Sequence, residues 1–247
     1  MRHILLLILF LSHGSLIANP LFKGFNAEYS VSHNDTFLGV SNRQLVVRDN
    51  GKKLDYASTT IPKGLVALFI SDRFMEHSLT YVTPRGLQPR RYEYQRTGGK
   101  KEFTFQAGFD WSNKRVHLSN NPQAQSLLPN THDLLSFQLS LMDGLYKGQR
   151  KFIFHIVDHK RVQKQTLEYT KSQTISSSHG KLDVLELAHR AEKSHYKFTF
   201  WCARQLHYLP IVIRKIEQDG DIVELKLKKF NRKSFWLSTD KQEENEY

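Results

Sequence analysis

The sequence predicts a mainly β fold: a single antiparallel sheet, curled into a roll, half-barrel or sandwich, with one clear helix near 131–143. Three observations lead there. Short runs alternate apolar and polar residues, the period-2 mark of strands with one buried face. Turn-forming residues separate these runs at short, regular spacing. One stretch, "NTHDLLSFQLSLMDG" at 130–144, instead carries a helical stripe.

Phe25-Asn-Ala27-Glu-Tyr29-Ser-Val31 alternates and reads as the first strand. "SHNDT" turns the chain into a second strand over 37–47. Asn50-Gly51 then tolerates the positive φ of a tight hairpin, and 54–60 returns. "IPKGLVALFISDRFMEH" is open between two assignments: Leu65, Val66, Leu68 and Phe69 fit one helical face, and a short buried strand fits too. Strands follow at 79–82 and through "RRYEYQR", with a turn at 84–86. Gly98-Gly99 turns the chain into "KKEFTFQ", where Phe103 and Phe105 share a face. "DWSNKR" precedes a short strand at 116–118.

In the helix, Asn130 or Thr131 is placed to accept an orphan backbone N–H, and Asp133 suits the positive end of the dipole. Leu135, Leu139 and Met142 form the stripe, and Gly144 is expected to stop it. Six further strands read from 151 to 230, broken most clearly at 176–180 and at Asp219-Gly220. There is no repeat and no linker, so a single β-rich domain is expected over 19–238, with a polar tail at 239–247.

The first 18 residues read as a signal peptide. Arg2 supplies positive charge, "ILLLILFL" at 4–11 is an apolar core too short to span a bilayer, and "SLIA" offers cleavage near Ala18. A periplasmic location and no transmembrane segment after cleavage are therefore expected. One cysteine allows no internal disulfide. The formal charge of +12 attracts anionic partners by its long-range field. Export makes nucleic acid an unsuitable partner and favours anionic lipid, acidic glycan or an envelope protein.

Cys202 shares strand parity with Tyr196, Phe198 and Phe200 and is expected to face the core. His155 and His159 would lie about 13 Å apart on a strand, too far for one metal ion. His132-Asp133 at a helix start reads as a capping arrangement. "RTGGKK" at 96–101 lacks the spacing and following helix of a phosphate loop. No catalytic residue, metal site or cofactor is assigned. The candidate ligand-binding set is a basic, aromatic-laced hairpin: Arg85, Arg90, Arg91, Arg96, Lys100 and Lys101 around Tyr92 and Tyr94. Arginine suits phosphate or carboxylate, and tyrosine suits a wet apolar edge. The plainer alternative puts the charges in solvent and the tyrosines in the core. "KLKKFNRK" at 226–233 is a second basic stretch with the same alternative.

The segments "FNAEYSV" after the signal, "GLQP" at 86–89, "HDLLS" at 132–136 and "FWCARQLHYLPIVI" at 200–213 resemble landmarks of an exported bacterial family, domain of unknown function 3108. The last is similar to that family's tryptophan-containing strand followed by a turn and a leucine-proline strand. The resemblance implies a β-rich envelope protein and carries no established active residues. The expected function is non-enzymatic: binding or helping to assemble an envelope component, either an amphipathic lipid or an anionic glycan. An apolar concavity rimmed by arginine and lysine would hold it. The alternatives are an envelope hydrolase using Cys202 or a histidine, and a scaffold for another envelope protein.

Overall fold

Runs of alternating residues fold as strands in the computed structural model, which describes residues 23–158, 161–189 and 196–232. The expected signal peptide and polar tail lie outside the described residues. In chain order the strands are β1 (Phe25–His33), β2 (Thr36–Arg48), β3 (Lys53–Pro62), β4 (Arg73–Thr83), β5 (Gly86–Thr97), β6 (Phe103–Asp110), β7 (Arg115–Leu118), β8 (Asn121–Ser126) and β9 (Thr131–Asp133). Helix α1 (Ser136–Tyr146) follows. The second half comprises β10 (Lys151–Val157), β11 (Val162–Ser177), β12 (Gly180–His189), β13 (Tyr196–Ala203), β14 (Leu209–Glu217) and β15 (Ile222–Asn231).

All fifteen strands belong to one sheet, in the order β8-β7-β6-β5-β4-β3-β2-β1-β15-β14-β13-β12-β11-β10-β9. Neighbours pair antiparallel except β9, which runs parallel to β10. This is the mainly β fold with one helix that the alternation predicts.

The connectivity forces the curl. Strands β8 and β9 lie at opposite edges of the sheet, yet only residues 127–130 separate them in sequence. The five Cα steps from Ser126 to Thr131 reach about 19 Å at most. A flat fifteen-strand sheet would hold its edges about 67 Å apart. The sheet therefore wraps until β9 lies against β5. No ladder joins β8 to β9, so the barrel-like wrap stays open.

Helix α1 fills the interior. Leu139 and Met142 pack into a core that runs through β1–β3 and β5–β7 and on into β12–β15, while Leu141 and Leu145 pack with Phe152, Phe154 and Leu185 of the second half. A helix buried on both sides is a plug rather than a surface element.

The helix differs at both ends from the expected 131–143. Residues 131–133 are drawn into parallel pairing with β10, so the helix starts at Ser136. Asp133, not Asn130 or Thr131, caps it: its Oδ1 accepts the amides of Leu135 at 2.9 Å and Ser136 at 2.8 Å. Gly144 does not end it. The end is a Schellman arrangement, with Gly148 at φ +85°, its amide bonded to Leu145 O and the Gln149 amide bonded to Gly144 O. Gly144 serves close packing instead. A Cβ there would meet the Phe152 ring and lie 2.9 Å from Gln149 Oε1.

Within the ambiguous segment at 61–77 the ends belong to strands, and residues 63–72 form neither a helix face nor a buried strand. β3 runs to Pro62, β4 starts at Arg73, and a 3-10 turn over Gly64–Leu68 joins them with Leu65 and Leu68 in solvent.

Replacing Gly144 with Ala should overpack the Phe152 contact. The gain in helix propensity, about 1 kcal/mol, offsets part of an overpacking cost of about 2–3 kcal/mol, the upper part of the usual range because the contact with the Phe152 ring is so close. Thermal melting of G144A should show a Tm lower by roughly 2–6 °C; an unchanged or higher Tm would refute the close-packing role.

Candidate functional site

Strand parity carries polar residues into the interior of the first half. On β2, Ser41 and Arg43 share the inward parity of Leu45; on β3, Ser58 follows Leu54 and Tyr56; on β4, Ser78 and Thr80 are buried. Register sets Arg43 opposite Ser58, and Ser58 opposite Glu76. The result is a polar floor beneath helix α1.

Arg43 is 8% exposed. Its Nη1 donates to Gln138 Oε1 at 2.5 Å, its guanidinium lies 4.9 Å from the Tyr29 ring centre, and Tyr56 is a further hydrogen-bond partner. Its Nε has no hydrogen-bond partner. No carboxylate among the described residues forms an ion pair with it. The nearby acid, Glu76, accepts the Tyr92 hydroxyl at 2.7 Å on Oε2. Burial pushes the Glu76 carboxyl up, against the lowering effects of Tyr92 and Arg43. Burial disfavours the Arg43 charge, but Tyr56, Tyr29 and the Glu76 carboxyl favour it and hold its pKa up.

Arg43, Glu76 and Gln138 form one side of a cavity of about 230 Å³. Its walls are apolar and aromatic: Leu134, Phe137, Phe154, Phe198, Phe200 and Ile213 among them. Phe137 meets Phe154 and Phe200 edge-on, at 6.1 and 5.8 Å between ring centres. The lining reaches the strand ends at Asp158, Gln163 and Tyr196. There Gln163 Nε2 donates to Asp158 Oδ2 at 2.6 Å and Gln165 Nε2 to the Tyr196 hydroxyl at 3.0 Å. The cavity thus has a floor that carries Arg43 and Glu76, aromatic walls, and a polar edge that carries the Asp158 carboxylate. A second, outer groove near Asn26, Glu28, Asn42 and Gln44 is polar, with Gln44 bonded to Asn26 and Lys229 to Glu28.

The structure does not bring the expected basic hairpin together. Arg85 lies in the turn before β5 and the Lys100–Lys101 pair in the turn after it, roughly 35 Å apart along the strand. Arg90 stacks on Tyr81 at 5.1 Å, Arg91 is exposed beside Glu93 at 3.4 Å, and Arg96 pairs with Asp72 at 2.6 Å. Tyr92 is buried and Tyr94 half-buried against Phe105 and Phe103. Charges outward and tyrosines inward is the plainer of the two sequence readings. The floor residues Arg43 and Glu76 were missed. Arg43 shares the parity of Leu45 on β2, a legible signal; Glu76 shares that of Ser78 and Thr80, opposite Met75, Leu79 and Tyr81, so alternation points it to solvent.

Cys202 is fully buried among Leu185, Phe200 and Ile213, and burial pushes its thiol pKa up. His155 is on β10, its Nδ1 3.0 Å from Pro129 O; His159 lies outside the described residues. Among the described residues no cluster of three potential metal ligands occurs, and no helix is long and apolar enough to cross a membrane.

The fold and cavity define a class: an open barrel-like sheet wrapped on an interior helix beside a half-enclosed apolar cavity. The model of the family described as "Protein of unknown function (DUF3108)" matches residues 28–228, and the chain belongs to that family. A solved structure titled as a β-barrel-like protein of domain of unknown function DUF1849, from Brucella abortus, is similar at a TM-score of 0.58 and 12% identity, covering 85% of this chain and 98% of that one. No curated protein matches.

His132 beside the cap is also buried, edge-on to Phe154 at 5.6 Å, with its Nδ1 unpartnered. Burial lowers its pKa to about 3. A depressed histidine leaves stability intact above the unfolded value near 6.5 and removes it as pH falls toward 3. Glu76 and Asp133, both pushed up by burial, act in the opposite sense. His132→Leu should therefore narrow the stability loss between pH 7 and pH 4 by on the order of 3 kcal/mol in urea titrations. Parallel pH profiles for the two proteins would contradict this.

Proposed function

We propose that this chain is a non-enzymatic, exported binding protein that holds an anionic amphipath of the cell envelope. The observation that carries the reading is Arg43: a guanidinium buried beneath the sheet, hydrogen-bonded by Gln138 and Tyr56 with Glu76 nearby, at the floor of an aromatic cavity. The apolar body of a lipid would gain roughly 25 cal/mol per Å² buried against Phe137, Phe154, Phe198 and Phe200. Arg43 would take the carboxylate or phosphate and fix its direction. The charge is then at the floor rather than at the rim that the sequence suggested, and the ligand enters acid end first. Apolar walls favour a lipid over a glycan. Burial of Cys202 weighs against the hydrolase alternative.

A fluorescent fatty acid and its methyl ester form the test. The acid should bind one per chain and tighter than the ester. Arg43→Gln should weaken the acid about 10- to 100-fold and leave the ester nearly unchanged. Equal binding of acid and ester by the unaltered protein, or no binding of either, would refute the reading.

A further inference from the structure

The turn joining β3 to β4 places large apolar side chains in water. Leu65 is 81% exposed, Leu68 75%, Phe69 86% and Ile70 43%. The 3-10 turn Gly64–Leu68 and the two residues after it, whose amides bond Val66 O, present them together, resting on β2 through the Lys63 amide bonded to Leu38 O. Contiguous exposure of this kind marks an interaction site.

Below the apolar tip the chain is tied to the turn between β5 and β6. Ser71 Oγ donates to Gly98 O, and Arg96 Nε donates to Asp72 at 2.6 Å. Those contacts set Lys100 and Lys101 beside the tip. Across the two turns five cations, Lys63, Arg73, Arg96, Lys100 and Lys101, stand against two carboxylates, Asp72 and Glu102. Asp72 is already engaged by Arg96.

We propose that this tip docks on an anionic bilayer, with Leu65, Leu68 and Phe69 entering the headgroup–acyl boundary and the basic residues held at the phosphates. Apolar insertion with a cationic collar is what an anionic interface recognises. A symmetric second copy fits badly, because a two-fold contact would set the same cations against each other. Antiparallel pairing puts this turn at the sheet end where the cavity lining reaches Asp158 and Tyr196. Docking would turn that end toward the membrane. The docking stands whether or not the cavity takes a lipid.

A site-specific probe tests it. Cys202 is fully buried, so a thiol-reactive environment-sensitive fluorophore reports on Phe69→Cys, with Lys52→Cys at the opposite sheet end as control. On vesicles of phosphatidylglycerol and phosphatidylethanolamine, the label at 69 should shift to the blue and the label at 52 should not. Replacing Lys100 and Lys101 together with Gln should weaken the vesicle affinity about 30-fold. Replacing Leu65 and Leu68 with Ser should cost about tenfold or more. Arg43→Gln should change neither, which separates this proposal from the cavity reading. Four outcomes would overturn the proposal: no shift at 69, an equal shift at 52, an equal response to neutral phosphatidylcholine, or a 69 label already shielded without vesicles. The last would mean that a second copy or the chain's own N-terminal segment covers the tip.

Discussion

Asp133 accepts four hydrogen bonds inside the wrap: from the amides of Leu135 and Ser136 and from the hydroxyls of Ser78 and Ser136, at 2.7 to 2.9 Å. Its own amide donates back to Ser136 Oγ at 3.0 Å. Two of these bonds start the helix. The one from Ser78 ties β9 and α1, which follow the edge-to-edge step, to β4 in the opposite wall. Burial pushes this carboxyl up, and the Ser136, Ser78 and Leu135 donors offset only part of that rise. A buried carboxylate this well satisfied fixes geometry more than it adds stability, because removing any donor leaves charge unmet. The short 127–130 step brings the two edges near each other; Asp133 settles where they meet.

The cavity follows from that placement. With α1 pinned at its first turn, Gln138 reaches Arg43 and Phe137 stands between Phe154 and Phe200. Helix packing covers the floor of the first half and leaves the aromatic wall of the second half partly unfilled. The interior is therefore divided in chemistry: serines, Arg43 and Glu76 on β2 to β4, phenylalanines on β10 and β13. A slender molecule with one charged end matches that division, and a uniformly polar or uniformly apolar one does not.

Much of the fold was legible because parity is a local property. Phe25, Ala27 and Tyr29 are buried as alternation requires, and so are Phe200 and Cys202. What depended on distant partners was not legible. The helix was shifted because residues 131–133 pair with β10, a contact no local pattern encodes. β8, "NPQAQS", carries no apolar alternation and is a strand only because β7 offers it an edge. The segment 64–70 has the composition of a buried element, but it rests on β2 only at its base and leaves Leu65, Leu68 and Phe69 in solvent. Arg43 has core parity in plain view, yet its meaning required knowing that the sheet encloses space. The basic hairpin failed for a related reason: residues close in sequence were separated by the full length of β5.

The central claim is that the Ser78–Asp133 contact locks the wrap around the helix. A double-mutant cycle of Ser78→Ala and Asp133→Asn, read by urea unfolding, measures that contact most directly. The account predicts a coupling of about 1.5–3 kcal/mol between the two positions, as expected for a buried hydrogen bond to a charged group. Effects that add to within about 0.5 kcal/mol would contradict it.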